Sequence, residues 1–203
     1  MENNELKFAK ILEDIKYVAR AQGGFIKEDD VYEALDEMDL SKEQYQMVFE
    51  YLNNNKIGID KPLDDAQILS TPERDLISEY TKDLNSIMGI SDGEKEAYVM
   101  AAMNNDKEAM QKLINYYLPK VVEISKLYLE QGVMLEDLIG EGNLAVAEGV
   151  TMLGALETPD EADGMMIKLI MDAMENSISI NLTEHSNDEK LASKVNKWFA
   201  QYS

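Results

Sequence analysis

Asn115-Tyr-Tyr-Leu-Pro-Lys-Val-Val-Glu-Ile-Ser-Lys-Leu-Tyr128, then Gln131-Gly132, then Leu135-Glu-Asp-Leu-Ile-Gly-Glu-Gly-Asn-Leu144, is the stretch on which the reading of this chain turns. Its apolar residues recur every three and four positions, the spacing of a helix face rather than of a strand. Pro119 restarts or kinks a helix that continues to Glu130, and Gly132 stops it. A second helix, over about residues 135–153, holds Gly140, Gly142 and Gly149. Each costs about 1 kcal/mol relative to alanine. Three such residues point to close backbone packing against a neighbour, or else to a weak helix.

Helical periodicity extends in both directions from this stretch, giving an all-α fold. Upstream, residues 106–117 are helical, Asn104-Asn105 turns the chain, and Ser91 with Glu94 forms a capping box opening a helix through Met103. A further helix spans about Pro72 to Met88. The segment from Asp60 to Pro72, with Pro62, reads as a linker. Before it, residues 1–60 form a small helical module. Phe8, Ile11, Leu12, Ile15, Val18 and Ala19 share one face of a first helix, which Gly23-Gly24 ends. Phe25 and Ile26 lead into a second, with Val31, Leu35 and Met38, and Ser41 with Gln44 caps a third, with Tyr45, Val48, Phe49 and Leu52 inward. Ile57-Gly58-Ile59 is the one short piece with strand character. Downstream, a polar stretch from Gly154 to Gly164 precedes a helix with Met165, Met166, Leu169, Ile170, Ala173, Met174 and Ile178 inward. Ser186 with Glu189 caps a last one. The expected organisation is a module over 1–60, a linker over 61–72, a larger helical domain over 73–182 and a C-terminal helix over 183–203.

Composition removes whole classes of chemistry. There are no cysteines, and His185, in a polar junction between helices, is the only histidine. Thiol nucleophiles, cysteine metal sites and imidazole constellations are therefore out of reach. No serine elbow, Walker-type loop or dinucleotide fingerprint occurs. Gly140-Glu141-Gly142-Asn143 lies in a helical pattern flanked by acids, which repel phosphate. Asp137 and Glu141 stand one turn apart, but a hard-cation cage needs more converging oxygens. The chain reads as a non-enzyme with no cofactor and no metal. It has no membrane span and no signal-peptide core, which points to the cytoplasm.

The net charge is −21, and each portion of the chain is acidic: −7 over 1–60, −5 over 61–133 and −9 over 134–203. Only Arg20 and Arg74 are arginines. A protein that grips duplex DNA neutralises several phosphates with a basic patch. Direct DNA binding is thus disfavoured, and a basic protein surface is the more natural partner.

The stretch quoted first resembles the core-binding region 2 of sigma-70-type bacterial RNA polymerase sigma factors. The family pattern there is roughly N-L-R-L-V-V-x-I-A-K-x-Y, then R-G, then D-L-I-Q-E-G-N-I-G-L. Asp75-Leu-Ile-Ser-Glu-Tyr80, Glu94, Glu96 and Asn105-Asp-Lys-Glu-Ala-Met-Gln-Lys-Leu-Ile114 are similar to region 1.2. Gly23-Gly24-Phe25-Ile26 with Asp29-Asp30-Val31 and Ala34-Leu35 resembles the acidic N-terminal domain (region 1.1) of primary sigma factors. Glu189-Lys190-Leu191 to Val195-Asn196-Lys197 is similar to the start of region 3.

The resemblance implies a transcription-initiation protein docking on the clamp helices of the largest subunit of the RNA polymerase core, or on a sigma-associated protein. Residue by residue, Asp137, Glu141 and Asn143 match the family's docking string, with Ile139 and Leu144 beside them. Gly140 replaces its glutamine, and Ala147 a methionine. Leu138 reads as ordinary core. The promoter-reading stretch departs further. Lys168 and Leu169 stand where the family has two tryptophans, and Met171, Asp172 and Asn176 where it has arginine, glutamine and arginine. Residues 154–182 contain no aromatic and one positive charge. Base stacking, about 1–3 kcal/mol per base, and phosphate neutralisation are both lost. The expectation is a sigma-like regulator with weak or no promoter recognition. The alternatives are a sigma subunit that needs a second polypeptide for DNA contacts, or a helical adaptor without polymerase binding.

Overall fold

The computed structural model describes residues 2–85 and 90–201, apart from the side chains of residues 2–5, 67, 92 and 184–201. The fold is all-α, with helices α1 (Glu2–Ala21), α2 (Glu28–Leu35), α3 (Lys42–Asn54), α4 (Asp65–Ile68), α5 (Thr71–Asn85), α6 (Asp92–Met103), α7 (Lys107–Ser125), α8 (Leu135–Met152) and α9 (Glu161–Gln201). Local chemistry sets several boundaries as expected. Gly23 and Gly24 take positive φ (+94° and +85°) after α1. The Ser41 N–H donates to Gln44 at 2.8 Å while the Gln44 N–H donates to Ser41 Oγ at 3.3 Å. The Ser91 N–H donates to Glu94 at 3.0 Å. Ser70 and Glu73 make the same contact (2.7 Å) at the start of α5.

Four expectations are corrected. α7 runs unbroken through Pro119 and ends at Ser125 in a 3₁₀ turn, Lys126–Tyr128. The buried neighbours Val121, Val122 and Ile124 anchor that last turn, so packing outweighs the missing N–H. Phe25–Ile26 is a strand (β1), paired in parallel with Gly58–Ile59 (β2). Gly58 is required there, because a Cβ would lie 1.9 Å from the Lys61 carbonyl oxygen. Met38 falls in a 3₁₀ turn, Asp36–Met38, beyond α2. Finally, α9 continues through residues 183–186 without a break. The Ser186–Glu189 cap and the environment of His185 lie outside the described side chains.

Apolar burial forms two clusters. Ile15, Ala19, Ile26, Val31, Leu35, Val48, Leu52 and Ile57 fill an aliphatic core at the N-terminus. The larger core spans α6 to α9 and includes Leu113, Tyr117, Leu138, Met166, Ile170 and Met174; Ile68 and Leu69, from the stretch read as a linker, are buried in it. Polar contacts join the two. Arg20, only 7% exposed, lies with its guanidinium 4.2 Å over the Tyr128 ring and 3.5 Å from Glu175, to which the Tyr128 hydroxyl donates at 2.8 Å. Burial beside that carboxylate pushes the Tyr128 phenol well up. Lys56 pairs with Glu130 at 3.1 Å. Within the larger unit, Asp163 accepts from Tyr117 at 2.8 Å and pairs with Lys95. Burial acts to raise the Asp163 carboxyl, but those two donors outweigh it and hold the group below the usual range.

Candidate interaction face on the eighth helix

α8 begins after Met134, whose side chain supplies no cap, so Glu136 and Asp137 in the first turn are what complements the exposed N–H groups there. Its inner side is almost wholly apolar. Leu135, Leu138, Ile139, Gly142, Ala145, Val146, Gly149 and Val150 are buried. At Gly142 a Cβ would lie 2.5 Å from Val121 Cγ1 and 2.8 Å from Met174 Cε, so α7 and α9 approach the α8 backbone closely. Gly149 is covered by Met166. Close packing is thus the reason for two of the three glycines. Gly140 has nothing within 4 Å and faces outward.

The outer side carries Glu136, Asp137, Gly140, Glu141, Leu144, Ala147, Glu148 and Met152, all exposed. Leu144 is 60% exposed and Met152 49%, large values for apolar side chains within a helix. Of the residues expected to form a docking string, Asp137, Glu141 and Leu144 therefore share one accessible surface. Asn143 is half-buried, and its side-chain amide donates to the Tyr80 hydroxyl of α5 at 2.8 Å. Ile139 is 5% exposed and belongs to the core, as does Leu138.

An open furrow runs between α8 and α9. One part is lined by Asp137, Glu141 and Leu144 against Ser177, Ile180 and Asn181. The next is lined by Glu141, Leu144 and Glu148 against Leu169, Asp172 and Asn176. The diverged positions on α9 thus lie beside the string on α8, a juxtaposition that sequence spacing does not reveal. Met171 is fully buried and takes no part. Lys168 pairs with Asp172 at 2.9 Å, and that hydrogen bond raises its ammonium pKa. The single cation of residues 154–182 is therefore already matched by a carboxylate, and the furrow is acidic with apolar patches. The exposure of Ile180 (51%) and Met152 was missed from sequence, because helical periodicity alone does not say which apolar residues remain uncovered.

Among the described residues no cluster of three or more His, Cys, Asp or Glu is placed to hold a metal ion. Among them, too, no helix is long and apolar enough to cross a membrane.

No family model matches the chain. Individual proteins do. RNA polymerase sigma factor SigA of Clostridium acetobutylicum is 29% identical over 160 residues, covering 73% of this chain and 41% of that protein. RNA polymerase sigma factor SigA of a Bacillus species is 32% identical over 76 residues, covering 37% of this chain and 20% of that protein. The chain thus spans about two fifths or less of the length of these curated relatives. Over most of its length, and in an all-α fold, this chain is similar to RNA polymerase sigma factors of the SigA type.

Proposed function

We propose that this protein acts in transcription initiation by docking on the RNA polymerase core through the outer face of α8, and that it regulates initiation with little or no promoter recognition of its own. The observation that carries this reading is the shared exposure of Asp137, Glu141 and Leu144 along one side of a helix whose other side is sealed in the core. Carboxylates around an apolar centre suit a basic, partly apolar partner. The partner favoured here is the clamp-helix segment of the polymerase's largest subunit, with a sigma-associated protein as the alternative. Weak DNA recognition is supported by the acidic furrow, by the pairing of Lys168 with Asp172 and by the absence of aromatics from residues 154–182. Division of labour follows the chain: an acidic module over 1–60, a connecting segment over 61–72 whose Ile68 and Leu69 pack into the larger core, the docking domain over 73–182 and the continuation of α9 beyond it.

The test is capture of purified bacterial core polymerase by the folded chain, beside an Asp137→Lys/Glu141→Lys variant. Asn143 is left unchanged, because its amide is engaged with Tyr80 and its substitution would disturb α5. Loss of at least about tenfold in affinity on charge reversal is the expected result. Equal capture of both proteins, or none of either, overturns docking through α8. Transcripts made from a promoter by core polymerase and this chain alone would overturn the weak-recognition part.

A further inference from the structure

The N-terminal module carries a second surface, independent of α8. Gln44, Met47, Val48 and Tyr51 lie at i, i+3, i+4 and i+7 along α3, and Phe8 and Leu12 lie at i and i+4 along α1. These residues line an open, mainly apolar groove of about 470 Å³. Met47 is 68% exposed although it sits in the middle of the α3 ridge. An unbranched thioether can adapt its shape to an incoming surface. Two helical ridges flanking a gap offer the seat that a further amphipathic helix fills.

Charge selects among possible helices. Of the cations near the groove, Lys7 is matched by Glu37 and Lys16 by Glu13, and Lys10 and Lys42 are outnumbered by the acids around them. Asp39 and Glu43, next to lining residues in the chain, and Asp36, two positions before Met38, are exposed, and no cation pairs with them among the described residues. The whole module carries −7. We infer that the groove between α1 and α3 binds a basic amphipathic helix of a protein partner. Its apolar residues seat against Met47, Leu12 and Tyr51, and its Lys or Arg residues face Asp36, Asp39 and Glu43. An acidic or neutral helix of the same apolar pattern is discriminated against by like charge or by the lack of a partner for these carboxylates.

The experiment uses the full chain and two synthetic helical peptides with leucines at i, i+3, i+4 and i+7, one with lysines on the opposite face and one with glutamates. Fluorescence anisotropy at low salt reads the affinity, and circular dichroism verifies that each protein variant is folded. The lysine peptide is expected to bind at least about tenfold more tightly than the glutamate peptide. Met47→Asp, at an exposed position, should weaken it by about tenfold or more, whereas Met47→Leu should retain it. Leu144→Asp, on the α8 face, should leave it unchanged. Failure of the lysine peptide to bind, equal binding of both peptides, indifference to Met47→Asp, or loss through Leu144→Asp would each overturn the inference. None of these outcomes depends on polymerase docking.

Discussion

The two faces of α8 both carry leucine and glycine, in opposite surroundings. Leu138 and Leu144 are six positions apart in one helix, yet the first is fully buried and the second is 60% exposed. Gly142 and Gly140 differ in the same way, the first pressed against Val121 and Met174 and the second open to solvent. On the inner face, residue size is limited by the approach of α7 and α9. On the outer face no described residue lies within 4 Å of a Cβ built at Gly140, so packing does not limit residue size at that position. Burial stabilises the helix on one side, and the exposed side is the one proposed above for recognition.

This division can be broken by substitution. Leu138→Ala should destabilise the fold by about 2–5 kcal/mol, through lost transfer energy and a residual cavity. Leu144→Ala should stay within about 0.5 kcal/mol of the parent. Urea denaturation followed by circular dichroism checks both, and comparable losses would abolish the distinction between the faces.

A smaller effect is expected at the glycines. Gly142→Ala gains about 1 kcal/mol of helix propensity but meets the stiff, β-branched Val121, and overpacking costs about 1–3 kcal/mol. The net result should be destabilisation. Gly140→Ala meets nothing and should stabilise by about 1 kcal/mol. Opposite signs in melting temperature for the two variants sharpen the comparison; equal signs would refute the packing difference.

The smallest effect is pH-dependent and confined to the inner side of the bundle. The Asp163 carboxyl is held below its unfolded value of about 3.9 by Lys95 and Tyr117, against the opposing effect of burial. Its contribution to stability is therefore complete above that pH and is lost as pH falls through the lower, folded value. Tyr117→Phe removes one donor, so the carboxyl should titrate closer to its ordinary value. The loss in acid should then begin at higher pH, which carbon NMR of the Asp163 carboxyl measures directly. An unchanged titration would assign the shift to the lysines, Lys95 and Lys120.

Much of this architecture was legible along the chain. The three- and four-residue spacing of apolar residues, the Ser41 and Ser91 capping boxes and the glycine pair after α1 all report on contacts within a few residues, so local reading found them. The failures share the opposite property. Pro119 reads as a restart or kink; no restart occurs, because burial of Val121, Val122 and Ile124 carries the helix past it. Phe25–Ile26 reads as a lead-in to a helix, but its strand partner lies at Gly58–Ile59, more than thirty residues away. Along the docking string, the fold places Ile139 in the core and bonds the half-buried Asn143 to Tyr80 of α5, a separation that sequence spacing does not express. Arg20 stood out in sequence only as one of two arginines, while in the fold it stacks on Tyr128 and joins the N-terminal module to α9.

Sequence was sufficient for the all-α class, the acidic character, the lack of cysteine and imidazole chemistry, and the resemblance carried by residues 115–144. These follow from composition and from periodicities that one helix expresses by itself. The division of α8 into a sealed and an open face, the alignment of its acids with the diverged positions of α9, and the uncovered groove between α1 and α3 came from the assembled fold. Each depends on which helix lies against which, and exposure is a property of that arrangement rather than of any segment.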